Sequence, residues 1–144
     1  MTDPFRLTIP RAIYDAMVAH AQAELPAECC GLLAGTVEAG VGRATQHFPL
    51  VNALTSPTEF ESDARSMFAA HKAMRAAGTD ILAIYHSHPT SDPIPSRRDR
   101  ERSYDDQVVN LIIGLSRAEP DVRGWWLTAD GVREAVWEVE GDQQ

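Results

Sequence analysis

Two histidines one residue apart, His86 and His88, stand in Tyr85-His86-Ser87-His88-Pro89 at the end of an apolar run. Side chains alternate between the faces of a strand, so His86 and His88 point to one side and Ser87 to the other. Two imidazoles placed in this way can share an ion, and zinc accepts neutral imidazole nitrogen at ~2.0–2.1 Å. By themselves they are weak evidence, because unrelated polar residues also fall in this pattern. A third ligand changes their meaning. After seven intervening residues His88 is followed by Ser96-Arg97-Arg98-Asp99, where Asp99 would occupy the first turn of a helix. Two histidines and one carboxylate leave the fourth tetrahedral position for water, which is the pattern of a catalytic zinc and not of a structural one. Ser96-x-x-Asp99 also matches a helix capping box. That reading is compatible with Ser96 as a site residue but competes with Asp99 as a ligand. Asp92 is the rival third ligand, although Asp-Pro in a loop more often starts a turn.

Hydrolysis also requires a proton acceptor. Zinc lowers the pKa of water to about 7, and a neighbouring carboxylate takes the proton. Glu28 is the candidate, at the mouth of the apolar stretch over residues 29–37. An acid turned inward at that place is costly and needs a reason to be there; turned outward, it is a solvated strand end. Glu59 and Glu61 are alternatives on sequence logic alone.

These residues need elements to position them. Residues 7–9 suit a short strand, and Pro10 suits the first turn of a helix. Ile13, Met17 and Ala21, with Ala16 between them, give that helix an apolar stripe, and Pro26 marks its end. Residues 29–37 predict a strand, Gly40 and Gly42 a turn, and residues 44–51 the returning arm of a hairpin. After a loop over residues 52–57, Ser62 or Asp63 can cap a helix through Met67, Phe68, His71 and Met74, which Gly78 ends. Residues 81–85 predict a buried strand, residues 86–95 a loop with three prolines, and residues 96–102 one or two helical turns. Residues 108–115, 124–128 and 132–139 suit three more strands, the last two joined at Asp130-Gly131. This mixed order predicts a single α/β domain over residues 1–144, a mixed sheet with helices packed on it.

Bulk properties exclude several classes of function. The net charge of -8, from 13 basic and 21 acidic residues, repels phosphate backbones and argues against a nucleic-acid partner. The run Arg97, Arg98, Arg100 and Arg102 is broken by Asp99 and Glu101 and reads as a solvated face. No apolar run nears the ~20 residues of a membrane span, no basic amphipathic helix suggests a membrane surface, and residues 1–11 lack the pattern of a signal peptide. The expected location is the cytoplasm. Cys29 and Cys30 are adjacent, a geometry that disfavours a disulfide, so they are expected as packing thiols. His20, His47 and His71 are expected as surface or packing residues, and Trp125, Trp126 and Trp137 as core or sheet-face aromatics.

Taken together, Glu28, His86-Ser87-His88, seven intervening residues and Ser96-Arg97-Arg98-Asp99 resemble the signature of the JAMM metallopeptidases, also called the MPN-plus family. The segment from Glu28 to Gly35 is similar to the family's Glu-x-x-Gly-x-Leu-x-Gly strand, and Asn52-Ala53, Ser56-Pro57, Phe60 and Asp63 resemble a segment of its small bacterial members. The resemblance implies one zinc ion held by His86, His88 and Asp99. It implies Glu28 as general base and then proton donor to the leaving amine, and Ser96 as hydrogen-bond donor to the carbonyl oxygen as charge builds there. It implies a curved mixed sheet between helices, akin to the cytidine deaminase arrangement. The substrate class it implies is a peptide or isopeptide bond after the C-terminal Gly-Gly of a ubiquitin-like protein. The compact length is most similar to bacterial members of the Mec type, which act beside ubiquitin-like sulfur carriers. By analogy, an extended carrier tail could add alongside an exposed strand near the metal. The competing functions are hydrolysis of small peptides or amides and a non-catalytic MPN scaffold; a homodimer is compatible with either.

Overall fold

The computed structural model describes residues 3–101 and 105–141, so Arg102 of the basic run lies outside the described residues. The chain opens with strand β1 (Arg6–Pro10), which passes directly into helix α1 (Arg11–Ala23). Pro10 is the N-cap of that helix and not part of its first turn. Met17 and Ala21 are its buried residues, Ile13 and Tyr14 pack beside them, and Ala16 is exposed.

Strands β2 (Cys30–Glu38) and β3 (Val41–Leu50) form a hairpin in which Glu38 pairs with Val41. Its two-residue turn, Ala39-Gly40, has φ of 52° and 76°. Positive φ at both positions matches the right-handed twist of the flanking strands. Gly42, expected in that turn, is instead paired within β3 opposite Val37. Helix α2 (Ala64–Ala77) starts as expected: the Asp63 side chain accepts from Ser66 N–H, and Gly78 closes the helix in the left-handed region at φ 72°.

Strand β4 (Asp80–His88) runs three residues past the expected end and carries both histidines within it. A five-residue helix α3 (Arg97–Glu101) follows, then β5 (Val109–Gly114) and β6 (Asp121–Thr128). The last expected strand is two, β7 (Gly131–Glu134) and β8 (Trp137–Glu140). The eight strands form one mixed sheet in the order β7-β6-β5-β4-β2-β3-β1-β8. β7 and β8 therefore hold opposite edges although only Ala135 and Val136 separate them. Ala135 N–H donates to Gly124 C=O on one side, and Leu7 N–H donates to Val136 C=O on the other, 2.8 and 3.1 Å. The sheet must curl until its edges meet. Local pattern cannot report this, since a continuous apolar alternation over residues 132–139 looks the same whether the chain keeps one partner or changes partners midway.

Alternation along β2 divides the interior into two layers. Leu33 packs with Met17, Ala83 and Tyr85 beneath α1, whereas Cys30, Leu32 and Ala34 pack with Ala70 and Met74 beneath α2. Cys29 and Cys30 are both buried as free thiols. β4 is central, antiparallel to β2 and parallel to β5. Its ladder with β2 ends at His86, whereas its ladder with β5 continues to His88. Among the described residues no helix is long and apolar enough to cross a membrane.

The β2 bulge between Ala34 and Gly35 brings Gly35 onto β3 so closely that a Cβ there would overlap the Arg43 carbonyl oxygen. A backbone atom cannot swing aside as a side-chain tip can. Gly35→Ala is therefore expected to destabilise the protein by about 3 kcal/mol, read as a lower urea midpoint with an unchanged slope.

Candidate metal centre and active site

His86 and His88 are the third-last and last residues of β4, on the face toward α2, and both are buried. Asp99 reaches them from the first turn of α3. Its Oδ1 lies 3.1 Å from His86 Nε2 and its Oδ2 lies 3.0 Å from His88 Nε2, while the two Nε2 atoms are 3.3 Å apart. Three donor atoms thus converge, and they are the nitrogen and oxygen donors that a divalent metal takes. Tetrahedral zinc with bonds of ~2.0–2.1 Å has donor–donor edges of ~3.3 Å, so the group fits such an ion with little change. Asp92 does not join it: the described residues that converge are His86, His88 and Asp99.

Neighbours hold each donor. His88 Nδ1–H donates to the Asp92 carbonyl at 2.8 Å, which leaves Nε2 to face the site. The loop supplying that carbonyl is anchored by Trp125, whose Nε1–H donates to the Pro93 carbonyl at 2.9 Å. The Phe60 ring stacks on His86 with centroids 4.7 Å apart. Asp99 Oδ2 accepts from Ser96 N–H at 2.9 Å, and Ser96 Oγ accepts from Asp99 N–H at 3.1 Å. The capping box is real, and the competition expected for Asp99 does not arise. A carboxylate oxygen has more than one lone pair, so Oδ2 caps the helix and meets His88 while Oδ1 meets His86. The Ser96 hydroxyl accepts in this cap, and its own proton stays free to donate on the exposed side.

Glu28 is buried at 5% exposure, so the inward reading of this acid holds. Its backbone is pinned on both sides: Glu28 N–H donates to Ser56 C=O at 2.7 Å, and Asn52 Nδ2–H donates to Glu28 C=O at 2.9 Å. The side chain lines the same pocket as His86 and Asp99. Glu59 and Glu61 line it too, but Glu59 is engaged by Arg98 at 2.7 Å.

Burial first, and the negative charges of Asp99 and Glu59 after it, push the Glu28 carboxyl up to about 7, against the opposing pull of His88. Burial would raise Asp99 as well, but hydrogen bonds from His86 and His88 outweigh it and hold Asp99 far below the usual carboxylate range. For His88, burial disfavours the charge, yet the Asp99 and Asp92 hydrogen bonds prevail and its pKa rises. Two carboxyls in one pocket are thus driven apart: Asp99 stays anionic, and Glu28 exchanges its proton near neutrality.

Sequence reasoning missed one neighbouring cluster. Tyr85, on the opposite face of β4, has its hydroxyl 2.7 Å from both His20 Nδ1 and His47 Nε2. The hydroxyl donates to one ring and accepts from the other. Burial lowers both histidines, His47 to about 4. Nothing local signals this meeting, because the three residues sit on α1, β3 and β4.

Comparison with known proteins agrees with this architecture. The family model described as prokaryotic homologs of the JAB domain matches residues 10–128. A desampylase of Haloferax volcanii is 37% identical, over 94% of this chain and 97% of its own length. A CysO-cysteine peptidase of Mycobacterium tuberculosis is 40% identical, over 65% of this chain and 62% of its own. A protein of Desulfitobacterium hafniense, solved in solution, superposes with a TM-score of 0.85 at 32% identity, covering 93% of this chain and 92% of that one.

The raised Glu28 pKa has a consequence for stability. Below the ordinary carboxyl value of 4.5 the group is protonated in both folded and unfolded chains; as pH rises through about 7 the folded chain must ionise it while buried, and stability falls. In protein stripped of metal by a chelator, Glu28→Gln is expected to exceed wild type by on the order of 2 kcal/mol above neutral pH. Denaturant titrations across pH should show this gap closing on the acid side; a gap independent of pH would contradict it.

Proposed function

The chain belongs to the prokaryotic homologs of the JAB domain, a JAMM-type hydrolase family, and from that membership we propose a zinc-dependent peptidase that cuts after the Gly-Gly end of a ubiquitin-like sulfur carrier. The observation that carries this reading is the convergence of His86, His88 and Asp99 at 3.0–3.3 Å beside a buried carboxyl tuned to about 7. The names of the relatives support the substrate class: a desampylase, a peptidase for a CysO-cysteine bond, and a probable TtuB-protein conjugate cleaving protease of Thermus thermophilus. We take residues 1–144 as one catalytic domain, acting in the cytoplasm.

In this reading His86, His88 and Asp99 hold zinc, which supplies Lewis-acid polarisation and a water acidic enough to attack at neutral pH. Glu28 accepts a proton from the attacking water and returns it to the leaving amine. A carboxyl can do both, taking the proton as carboxylate and giving it back as carboxylic acid. The Ser96 hydroxyl donates to the carbonyl oxygen as charge builds on it. The His88 to Asp92 hydrogen bond keeps the imidazole in the tautomer that presents Nε2.

Elemental analysis is expected to find one zinc per chain in wild type and little in His88→Ala. Wild type should cleave a ubiquitin-like carrier extended past Gly-Gly. Glu28→Gln should retain zinc but lose on the order of 10²–10⁴-fold in kcat. Wild type that takes up no zinc when it is supplied would sink the mechanism; zinc without cleavage of any carrier fusion would sink the substrate assignment.

A further inference from the structure

His88 relies on a carbonyl in the loop that follows it, and that loop is held from β6, a strand separated from β4 by β5. Pro93 is the buried residue of the loop's second half. Its ring fits over Gly114 of β5, where a Cβ would lie 2.8 Å from Pro93 Cδ. Its carbonyl accepts from Trp125 Nε1–H at 2.9 Å. Trp125 is half-buried and steadied in turn: the Arg123 guanidinium lies 5.2 Å from its ring centroid and pairs with Glu134 at 3.0 Å.

This clamp reaches the metal ligands in both directions along the chain. One residue earlier, the Asp92 carbonyl accepts from His88 Nδ1–H and from Ile94 N–H, each at 2.8 Å. A carbonyl oxygen has two lone pairs, so both are used and residues 92–94 are tied into one tight turn. Three residues later, Ser96 begins the capping box that places Asp99. A shift of Pro93 would therefore move the partner of one ligand and the starting point of another. An ion pair of Asp92 with Arg117, 3.7 Å long and exposed on both sides, adds little to this hold.

We propose that Trp125 is a positioning residue of the metal centre. Through Pro93, its indole N–H holds the Asp92 carbonyl against His88 and the first turn of α3 against both histidines, and so raises the affinity of the site for zinc. Groups that orient a metal ligand in this way matter to affinity without touching the ion. The inference rests on the reading of His86, His88 and Asp99 as zinc ligands and extends it to a side chain of β6.

Trp125→Phe keeps an aromatic ring on β6 and removes the N–H. Its zinc affinity, read by competition with a chromophoric chelator, is expected to fall about tenfold. Trp137→Phe is the control, since that indole stacks on Tyr14 of α1, and it should bind zinc as wild type does. Urea titrations of the zinc-free proteins separate positioning from plain stability. A merely structural role lowers the midpoint and leaves the zinc affinity of the folded chain unchanged. Coupling must also run the other way: in wild type, zinc should slow exchange of Trp125 Nε1–H with deuterated solvent more than it slows that of Trp137, a measurement that needs no variant. An unchanged zinc affinity in Trp125→Phe, or exchange at Trp125 slowed no more than at Trp137, would overturn the assignment and leave the metal centre standing. Wild type that binds no zinc would overturn the metal centre, and this inference with it.

Discussion

Two imidazoles and a carboxylate held within 3.3 Å of one another at the end of a buried strand set the terms for everything around them. Polar groups removed from water must find partners or be stabilised by charge. Here they find each other, and the surroundings fix them in that arrangement. β4 contributes two donors because its residues alternate, and it is rigid because β2 and β5 pair with it on either side. α3 contributes the third because the capping box fixes where its first turn begins. The helix is only five residues long and would be marginal alone; its position derives from the cap and from Asp99's contacts with the histidines.

The placement of Glu28 follows a different logic. It precedes β2, the strand next to β4, and its backbone is tied to the segment containing Asn52 and Ser56. Asn52 is itself buried, and its side chain also bonds the backbone of Leu54, Glu59 and Glu61. One asparagine therefore shapes the segment that bears Phe60, which stacks on His86, and Glu59, which pairs with Arg98 beside Asp99. The wall of the site and the position of its acid are coupled through a single side chain. The price of burying Glu28 is a carboxyl that resists ionisation, and that resistance is what suits it to pass a proton back and forth.

Much of this was legible in the order of residues. Local rules found Asp63 as the cap of α2 and Gly78 as its end, because those rules concern neighbours in sequence. The spacing of His86, His88, Ser96 and Asp99 was legible for the same reason: strand alternation and the first helical turn are short-range geometry. The errors arose where a partner came from afar. The loop expected from His86 onward is strand through His88, because β2 and β5 supply ladder partners that override the polar composition. The single strand expected over residues 132–139 is β7 and β8, because the second half pairs with β1.

The sequence by itself determined which groups are available, their spacing and the faces on which they stand, since the period of a strand and the turn of a helix are properties of the backbone. Only the tertiary structure decided that Glu28 turns inward to share a pocket with His86, that Asp99 both caps and converges, and that Tyr85 meets His20 and His47. Each of these depends on contacts between residues distant in the chain and on the loss of water around them. Burial, and with it the strength of every charge and hydrogen bond, exists only once the sheet has curled and closed.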